Sequence, residues 1–186
     1  TPLNREQRGF VDTTLVAGES LLRLISDILD FSKIEAGKVD LVSEPFAPGP
    51  LVESVLRSFD SMVDRDRVDI RYLVNGSPPK RVVGDGSRLR QILFNLLGNA
   101  VKFTEEGDIT VSLEARYHDD GRNANLLFEV RDTGVGIPAH LTDRLFEPFV
   151  QANGSFRRRY RGTGLGLSIV KRLVGMLGGE IRLSSI

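Results

Sequence analysis

The sequence contains no cysteine and no tryptophan, and it has only two histidines. The absence of cysteine excludes disulfides and thiolate zinc sites and fits a reducing compartment. His118 and His140 are too few for a histidine-rich metal centre. The 25 acidic residues balance the 25 basic ones, so the chain has no net positive charge with which to hold nucleic acid or an anionic membrane. We therefore expect no nucleic-acid partner and no membrane contact by this segment.

Long apolar runs are also missing. No stretch of about 18 apolar residues occurs, and no basic-then-apolar secretion signal is present. Charged residues make up 27% of the chain and hydrophobic residues 40%, which is typical of a folded chain, and 186 residues suffice for one large or two small domains. Nine of the 19 glycines follow position 130, which indicates backbone loops shaped around a ligand.

The first 66 residues predict two helices. In the first, apolar or small residues form a heptad seam: Phe10, Thr14, Ala17, Leu21, Leu24, Ile28 and Phe31. This helix is expected to run from the region of Pro2 to Ala36 and to stop at Gly37. The second carries apolar residues at intervals of three and four: Leu51, Val52, Val55, Phe59, Met62 and Val63. Because neither helix buries its seam alone, we expect residues 1–66 to form a helical hairpin that pairs with a second copy in a four-helix bundle.

Residues 67–186 have a different pattern, in which alternating segments predict strands and longer periodic segments predict helices. Strands are expected at Val68–Val74, Ile109–Ala115 and Leu126–Val130, and a last one from Ile181. Helices are expected at the following ranges: Asp85–Phe103, Leu141–Phe149 and Leu165–Leu177. The mixture of hairpins and helices favours an α+β fold with a sheet layered by helices, not a doubly wound nucleotide fold.

The Asp85–Phe103 helix carries a ridge of polar residues. Gln91, Asn95, Asn99 and Lys102 recur at intervals of four, four and three. A solvent-exposed helix face is one interpretation, but asparagine is a poor helix former. Two amide oxygens one turn apart suit Mg²⁺, and a lysine one turn further on suits a phosphate.

A second motif follows the predicted Leu126–Val130 strand, at Asp132–Pro138. Asp132 continues the inward alternation of that strand, so a carboxylate replaces an expected core residue and needs hydrogen-bond donors, such as the amine of a purine. Gly134 and Gly136 allow close approach of backbone to a ligand. A strand-ending turn capped by aspartate is the alternative.

A third motif, Arg161–Leu167, leads directly into a helix. Its glycines place free backbone N–H groups at a helix N-terminus, where they attract phosphate. The spacing fits neither the Rossmann fingerprint nor a P-loop. Basic residues lie just before it: Arg157, Arg158, Arg159 and Arg161.

Together, the order and spacing of these motifs resemble the core of the sensor histidine kinases. Asn95–Asn99 match the family's N box, Asp132–Gly136 its first glycine box, Phe146–Phe149 its F box and Gly162–Gly166 its second glycine box. Ile28–Gly37 looks like its dimerisation helix, particularly that of the hybrid kinases. The resemblance covers nearly the whole chain.

The resemblance implies a dimerisation and phosphotransfer hairpin at 1–66 and, at 67–186, a Bergerat-type α/β sandwich that binds Mg-ATP. Asp132 would hold the adenine amine, Asn99 with Asn95 would bind Mg²⁺, and Lys102 would lie near the phosphates. Asn95 and Lys102 would act in catalysis, and residues 138–161 would form an ATP lid. Further implied ATP contacts are Gly134, Gly136, Ile137, Phe149, Gly162, Thr163, Gly164, Leu165 and Gly166.

The sequence also departs from the family pattern. The family writes its phosphoacceptor segment H-E-x-R-T-P-L-N, and this chain begins at Thr1 with T-P-L-N, so the acceptor histidine is expected four residues upstream. His118 and His140 are interpreted as surface residues. The last strand of the fold is expected to be incomplete at Ile186, and Arg161 stands where glycine is frequent. We therefore expect the chain to bind ATP without phosphorylating itself.

The implied partners are a second copy of the chain and the receiver domain of a response regulator or of the same hybrid chain, in the cytoplasm. Two alternatives remain. A gyrase-type or chaperone-type ATPase of the same superfamily would usually carry a glutamate base where Asn95 stands and would lack the leading helices. A catalytically silent pseudokinase would not need to keep Asn95, Asn99 and Asp132.

Overall fold

A computed structural model of the chain describes residues 3–119, 123–150 and 163–185. Its helices are α1 (Arg5–Glu35), α2 (Pro48–Arg57), α3 (Gly86–Phe103), α4 (Ala139–Thr142) and α5 (Gly166–Met176). Its strands are β1 (Glu44–Phe46), β2 (Val68–Asn75), β3 (Val82–Gly84), β4 (Gly107–Tyr117) and β5 (Ala124–Asp132). Among these residues, no helix combines the length and the apolar character that a membrane span requires.

The main sheet is mixed and has the strand order β2-β4-β5. β2 pairs with β4 in parallel, and β4 pairs with β5 in antiparallel, with Ile109 opposite Asp132. The predicted mixed sheet layered with helices is therefore confirmed. A second, smaller sheet joins β1 and β3. The alternation pattern did not predict it, because strands of three residues are too short to show a period.

One face of the main sheet packs against α2 and α3 and forms the principal core. This core contains Leu51, Val52, Val55, Phe59, Val68, Leu93, Leu97, Ala100, Ile109 and Val111. The apolar face of α2 therefore lies in the same core as α3 and β4, so the described residues do not show the helical hairpin predicted for residues 1–66. Pairing with a second copy in a four-helix bundle stays a prediction. A one-sided apolar helix gives the same sequence pattern whether a helix or a sheet covers it.

Helix α1 begins later than predicted, at Arg5, because Asn4 caps it. The Asn4 side chain accepts a hydrogen bond from the Gln7 N–H (2.8 Å), and the Gln7 side-chain oxygen accepts one from the Asn4 N–H (3.0 Å). The helix ends beside Gly37, whose φ of 63° suits glycine. Its last turns pack on α3 and α5 in a second core: Ile34, Ile92, Leu165, Ile169, Val170 and Leu173.

Buried Asp85 fixes the start of α3. One carboxylate oxygen accepts from the Arg88 N–H (2.9 Å) and the other from the Val42 N–H (3.0 Å). Burial alone would raise the pKa of Asp85, but these bonds, the Ser87 hydroxyl and the Arg88 charge together lower it. The carboxylate thus ties the functional ridge of α3 to the loop after α1.

Two predicted elements near the end of the chain differ from the structure. The helix expected at Leu141–Phe149 is reduced to α4, because turns replace it after Thr142. Residues 181–185 are not in a strand. Ser185 instead accepts a hydrogen bond at its hydroxyl oxygen from the Ile137 N–H (2.9 Å), which links this segment to the Asp132–Pro138 loop.

Candidate functional site

The polar ridge of α3 lies beside the principal core. Asn95, Asn99 and Lys102 are all half-buried, so the ridge is not simply a solvent-exposed helix face. Burial lowers the pKa of Lys102, and its ammonium nitrogen lies 4.8 Å from the centre of the Phe103 ring. A lysine in this condition gains from an anionic partner, because the partner restores the stability of its charged form.

The Asp132–Pro138 loop is held against the C-terminal end of α3. The Val135 N–H donates to the Phe103 carbonyl (3.3 Å), and Thr133 donates from its N–H to the Asp108 carbonyl (3.1 Å) on β4. A β-carbon on Gly134 would collide with the Phe103 carbonyl, so the loop approaches α3 as closely as it does only because this residue is glycine. Gly136, at φ 67°, turns the chain towards Ile137.

Asp132 itself is exposed, which corrects the expectation of a buried acid. It is the last residue of β5 and lies opposite Ile109 of β4. One carboxylate oxygen accepts from the Gly134 N–H (2.9 Å) and so shapes the loop. A second acceptor oxygen remains on the same carboxylate for a donor such as a purine amine.

The second glycine segment, residues 163–166, contacts α3 near the middle of that helix. Gly166 starts α5, and Asn95 Oδ1 lies 3.3 Å from the position that a Gly166 β-carbon would occupy. Gly164 has a φ of 72°, and its carbonyl accepts from the Phe149 N–H (3.0 Å). Leu165, which belongs to the same segment, is buried. The structure therefore joins Asn95, Phe149 and the predicted phosphate segment.

Part of the predicted site lies outside the described residues. This applies to Gly162, to residues 151–161 of the predicted lid and to the basic residues in that range, Arg157, Arg158, Arg159 and Arg161. The two histidines lie away from the polar ridge of α3. His118 follows β4, with its Nε2 3.1 Å from Asn125 Oδ1, and exposed His140 lies on α4.

The arrangement has the chemistry of a site for a phosphorylated purine. Helix α3 contacts the Asp132–Pro138 loop, whose carboxylate has a free acceptor oxygen. It also contacts the glycine-rich start of α5. Free N–H groups and the helix dipole at the start of α5 favour phosphate. The described residues contain no group of three histidine, cysteine, aspartate or glutamate side chains that could hold a metal by themselves. Asn95 and Asn99 fit a Mg²⁺ ion only as partial ligands, with phosphate and water oxygens completing the octahedron.

Sequence patterns missed one set of contacts, those made by α1. The Thr163 hydroxyl donates to Asp27 Oδ2 (3.0 Å), across 136 residues of sequence. The Gln91 amide donates to Asp30 Oδ2 (2.8 Å), and the Phe149 ring lies edge-on to Phe31. The available signal in the sequence was a pair of acids one turn apart, Asp27 and Asp30, beside the heptad seam.

The fold and the site define a nucleotide-binding domain in which one helix contacts two glycine-rich segments. Residues 84–186 match the family of histidine kinase-, DNA gyrase B- and HSP90-like ATPases. Because the match covers more than half of the chain, the chain belongs to this family.

Two curated relatives are similar to nearly the whole of this chain, and both are signal transduction proteins. The chain is 42% identical over 185 residues to the hybrid signal transduction protein dokA of Dictyostelium discoideum, which covers 98% of this chain and 11% of dokA. It is 40% identical over 185 residues to the signal transduction histidine-protein kinase BarA of Escherichia coli (strain K12), which covers 100% of this chain and 20% of BarA. The chain thus spans a fifth or less of the length of these curated relatives.

Solved structures agree. Full-length ShkA in complex with AMPPNP has a TM-score of 0.75 and 36% identity, covering 96% of this chain and 35% of that chain. The Acinetobacter baumannii histidine kinase AdeS has a TM-score of 0.74 and 25% identity, covering 100% of this chain and 80% of that chain. These similarities confirm the resemblance to a hybrid histidine kinase ATPase core.

Proposed function

We propose that the chain is the ATP-binding and phosphotransfer core of a hybrid histidine kinase. It binds Mg-ATP, and the γ-phosphoryl passes to a histidine nitrogen with release of ADP, for relay to an aspartate of a receiver domain. One observation carries this proposal: α3, which bears the polar ridge, contacts the Asp132–Pro138 loop at Phe103 and the second glycine segment at Asn95. Similarity to ShkA, which was solved with AMPPNP, supports the nucleotide class.

Each part of the site has a role that its geometry supports. Asp132 accepts from the adenine amine while its other oxygen holds the Gly134 N–H, and Gly136 and Ile137 form the adjoining wall. Thr163, Gly164, Leu165 and Gly166 offer the start of α5 to the phosphates, and Phe149 supports them through Gly164. Lys102 neutralises phosphate charge. Phosphoryl transfer needs this positioning and charge neutralisation more than it needs covalent chemistry from the protein.

A magnesium ion fits the amide donors of Asn95 and Asn99. When bound, it would neutralise charge on the phosphates, and it would take most of its ligands from them and from water. Asn95 also contacts the second glycine segment, which makes it the residue through which α3 and α5 act together.

The partners are a second copy of the chain, bound through α1, and a receiver domain. The names of dokA as a hybrid signal transduction protein and of BarA as a histidine-protein kinase support the receiver as a partner. A cytoplasmic setting is part of the same proposal. Because α2 lies in the core with α3, we place the boundary between the dimerisation segment and the catalytic domain after α1, near Gly37, and not at residue 66. The pseudokinase alternative receives no support from the site, which keeps Asn95, Asn99 and Asp132.

Titration with AMPPNP, with and without Mg²⁺, tests the proposal. We expect wild-type chain to bind and Asp132→Asn to lose about 5- to 150-fold in affinity, since bound adenine would cover the mismatched polar contact, and an unpaired buried polar group costs about 1–3 kcal/mol. The substitution keeps an oxygen for the Gly134 N–H and replaces only the other acceptor. Glu129→Gln on β5 makes the same charge change and serves as the control. Unchanged binding by folded Asp132→Asn would remove Asp132 from the site.

A further inference from the structure

Helix α1 contacts the second glycine segment through one hydrogen bond. The Thr163 hydroxyl donates to Asp27 Oδ2 at 3.0 Å, and both side chains are half-buried. Thr163 immediately precedes Gly164 and lies in the segment that the proposed function assigns to the phosphates. A carboxylate from another part of the chain therefore reaches the phosphate-binding backbone.

The single hydroxyl proton of Thr163 is already used in this arrangement. The hydroxyl gives this proton to Asp27, and its oxygen accepts from the Leu165 N–H at 3.1 Å. A phosphate oxygen is also an acceptor and needs that same proton. Asp27 and a bound phosphate therefore compete for one donor, and both are anionic, so their charges also repel.

Neighbouring contacts hold Asp27 in this place. One turn further along α1, Asp30 accepts from the Gln91 amide on α3 (2.8 Å). Phe31 lies edge-on to Phe149, with ring centroids 6.4 Å apart. Ile34 is buried among the residues of α5, and Glu35 pairs with Arg172. α1 is thus docked on the side of the domain that carries both the amide ridge and the glycine segment.

We propose that Asp27 is an internal competitor of the nucleotide phosphates for the Thr163 hydroxyl, so that docked α1 weakens ATP binding. This inference rests on the proposed function. Coupling of this kind is reciprocal, so bound nucleotide weakens the docking of α1 by the same factor. The position of α1 then sets nucleotide affinity without any change in the residues that hold adenine.

Calorimetry on the whole chain tests this with AMPPNP as the probe. Asp27→Ala removes the competing acceptor and is expected to raise AMPPNP affinity by about 3- to 10-fold, the scale of one hydrogen bond. Asp30→Ala is the matched control, because it removes the same charge one turn away and leaves Thr163 untouched, while the contacts of Phe31, Ile34 and Glu35 keep α1 docked. Its affinity is expected to stay within about 2-fold of wild type.

Two further measurements separate competition from a general loosening of α1. In a Thr163→Val background, Asp27→Ala is expected to have no further effect, because the shared proton is gone. Adenosine carries no phosphate, so its affinity is expected to be the same for wild type and Asp27→Ala. Circular dichroism melts of each variant check that the fold is retained.

The outcomes are distinct. Equal AMPPNP affinity of wild type and Asp27→Ala overturns the inference and leaves the proposed function standing. An equal rise in Asp30→Ala, a rise that persists with Thr163→Val, or a matching rise for adenosine also overturns it. Absence of AMPPNP binding by the wild-type chain refutes the proposed function and the inference with it.

Discussion

Asn95 Oδ1 lies 3.3 Å from the position that a β-carbon would take on Gly166, which is closer than a methyl group normally approaches an amide oxygen. The contact joins the middle of α3 to the first residue of α5. Because Gly166 lacks a side chain, the asparagine and the free N–H groups at the helix start face the same space. The geometry of the candidate site therefore depends on a missing methyl group.

Gly166→Ala is accordingly expected to keep the fold and to weaken AMPPNP binding by about 3- to 30-fold. The flexible amide tip of Asn95 yields to the methyl group, and a ligand displaced by a few tenths of an ångström loses much of a hydrogen bond. Calorimetry measures the affinity, and a thermal melt verifies the fold.

Gly175→Ala provides the control on the same helix. No atom lies within 4 Å of a β-carbon at Gly175, so the substitution meets open space. Alanine is the better helix former by about 0.8–1 kcal/mol, so we expect a small gain in stability and unchanged nucleotide affinity. An equal loss of affinity in both variants would contradict the role of the Asn95 contact.

Asn99→Ala is expected to remove most of the Mg²⁺ dependence of AMPPNP binding. Alanine offers no oxygen to the metal, whereas the adenine contacts at Asp132 are retained. The measurement is the ratio of affinities with and without Mg²⁺. Gln91→Ala, an amide on the same ridge that contacts Asp30 instead, is the control and is expected to keep the wild-type ratio. A wild-type ratio in Asn99→Ala would show that the metal binds elsewhere.

The sequence predicted those parts of the fold that a local period specifies. Alternation of apolar and polar residues predicted the strands of the main sheet, and apolar spacings of three and four predicted the span of α3. The placement of glycines predicted the start of α5. The partner of an apolar helix face has no local signature, which is why α2 was assigned to a hairpin although its face lies against Leu93 and Leu97.

In the candidate site, too, the sequence predicted the features with a local pattern and missed those set by packing. The residues on α3 and the glycine segments were predicted from residue type and spacing. The exposure of Asp132 was not, because alternation identifies the face of a strand but not how completely each position on that face is covered. The bond between Asp27 and Thr163 spans 136 residues, and only the packing of α1 on α5 brings the two together.

The half-buried ammonium of Lys102 leads to a prediction of how the stability of the fold depends on pH. Burial lowers its pKa in the folded chain below that in the unfolded chain, which is about 10.4. Between the two values the unfolded chain binds more protons, so this group's contribution to stability rises with pH. At pH values below the pKa of Lys102 in the folded chain, the cost of burying its charge destabilises the fold in full.

Lys102→Met is therefore expected to be more stable than wild type at pH 7, by a margin that shrinks as the pH approaches about 10. Thermal melts at several pH values measure the difference. Lys38→Met, at an exposed lysine in the loop after α1, is the control and should show no such trend. The same Lys102 variant is expected to bind AMPPNP more weakly, since a charge near the phosphates is lost. A variant less stable than wild type at pH 7 would contradict the argument.

The exposed face of α1 leads to the last prediction, which concerns assembly. Phe10, Leu21, Leu24 and Ile28 of the heptad seam are all exposed, and the apolar surface extends beyond the seam to Leu15, Leu22, Ile25 and Leu29. Since α2 is committed to the core of its own chain, the surface available to a second copy is that of α1. An apolar face of this size on a helix otherwise surrounded by solvent is typical of an interface.

Leu24→Glu is expected to convert a dimer into a monomer. Leu24 is 39% exposed in the single chain, and pairing of two seams across a two-fold axis would bring the two substituted carboxylates into an apolar interface without partners. Burial of an unpaired charge costs several kcal/mol, which exceeds what a short helical interface provides. Ser26→Glu adds the same charge to an exposed position off the seam and should remain dimeric. Light scattering decides between the outcomes: a Leu24→Glu mass that stays at twice the 20.6 kDa of one chain would refute pairing through this seam.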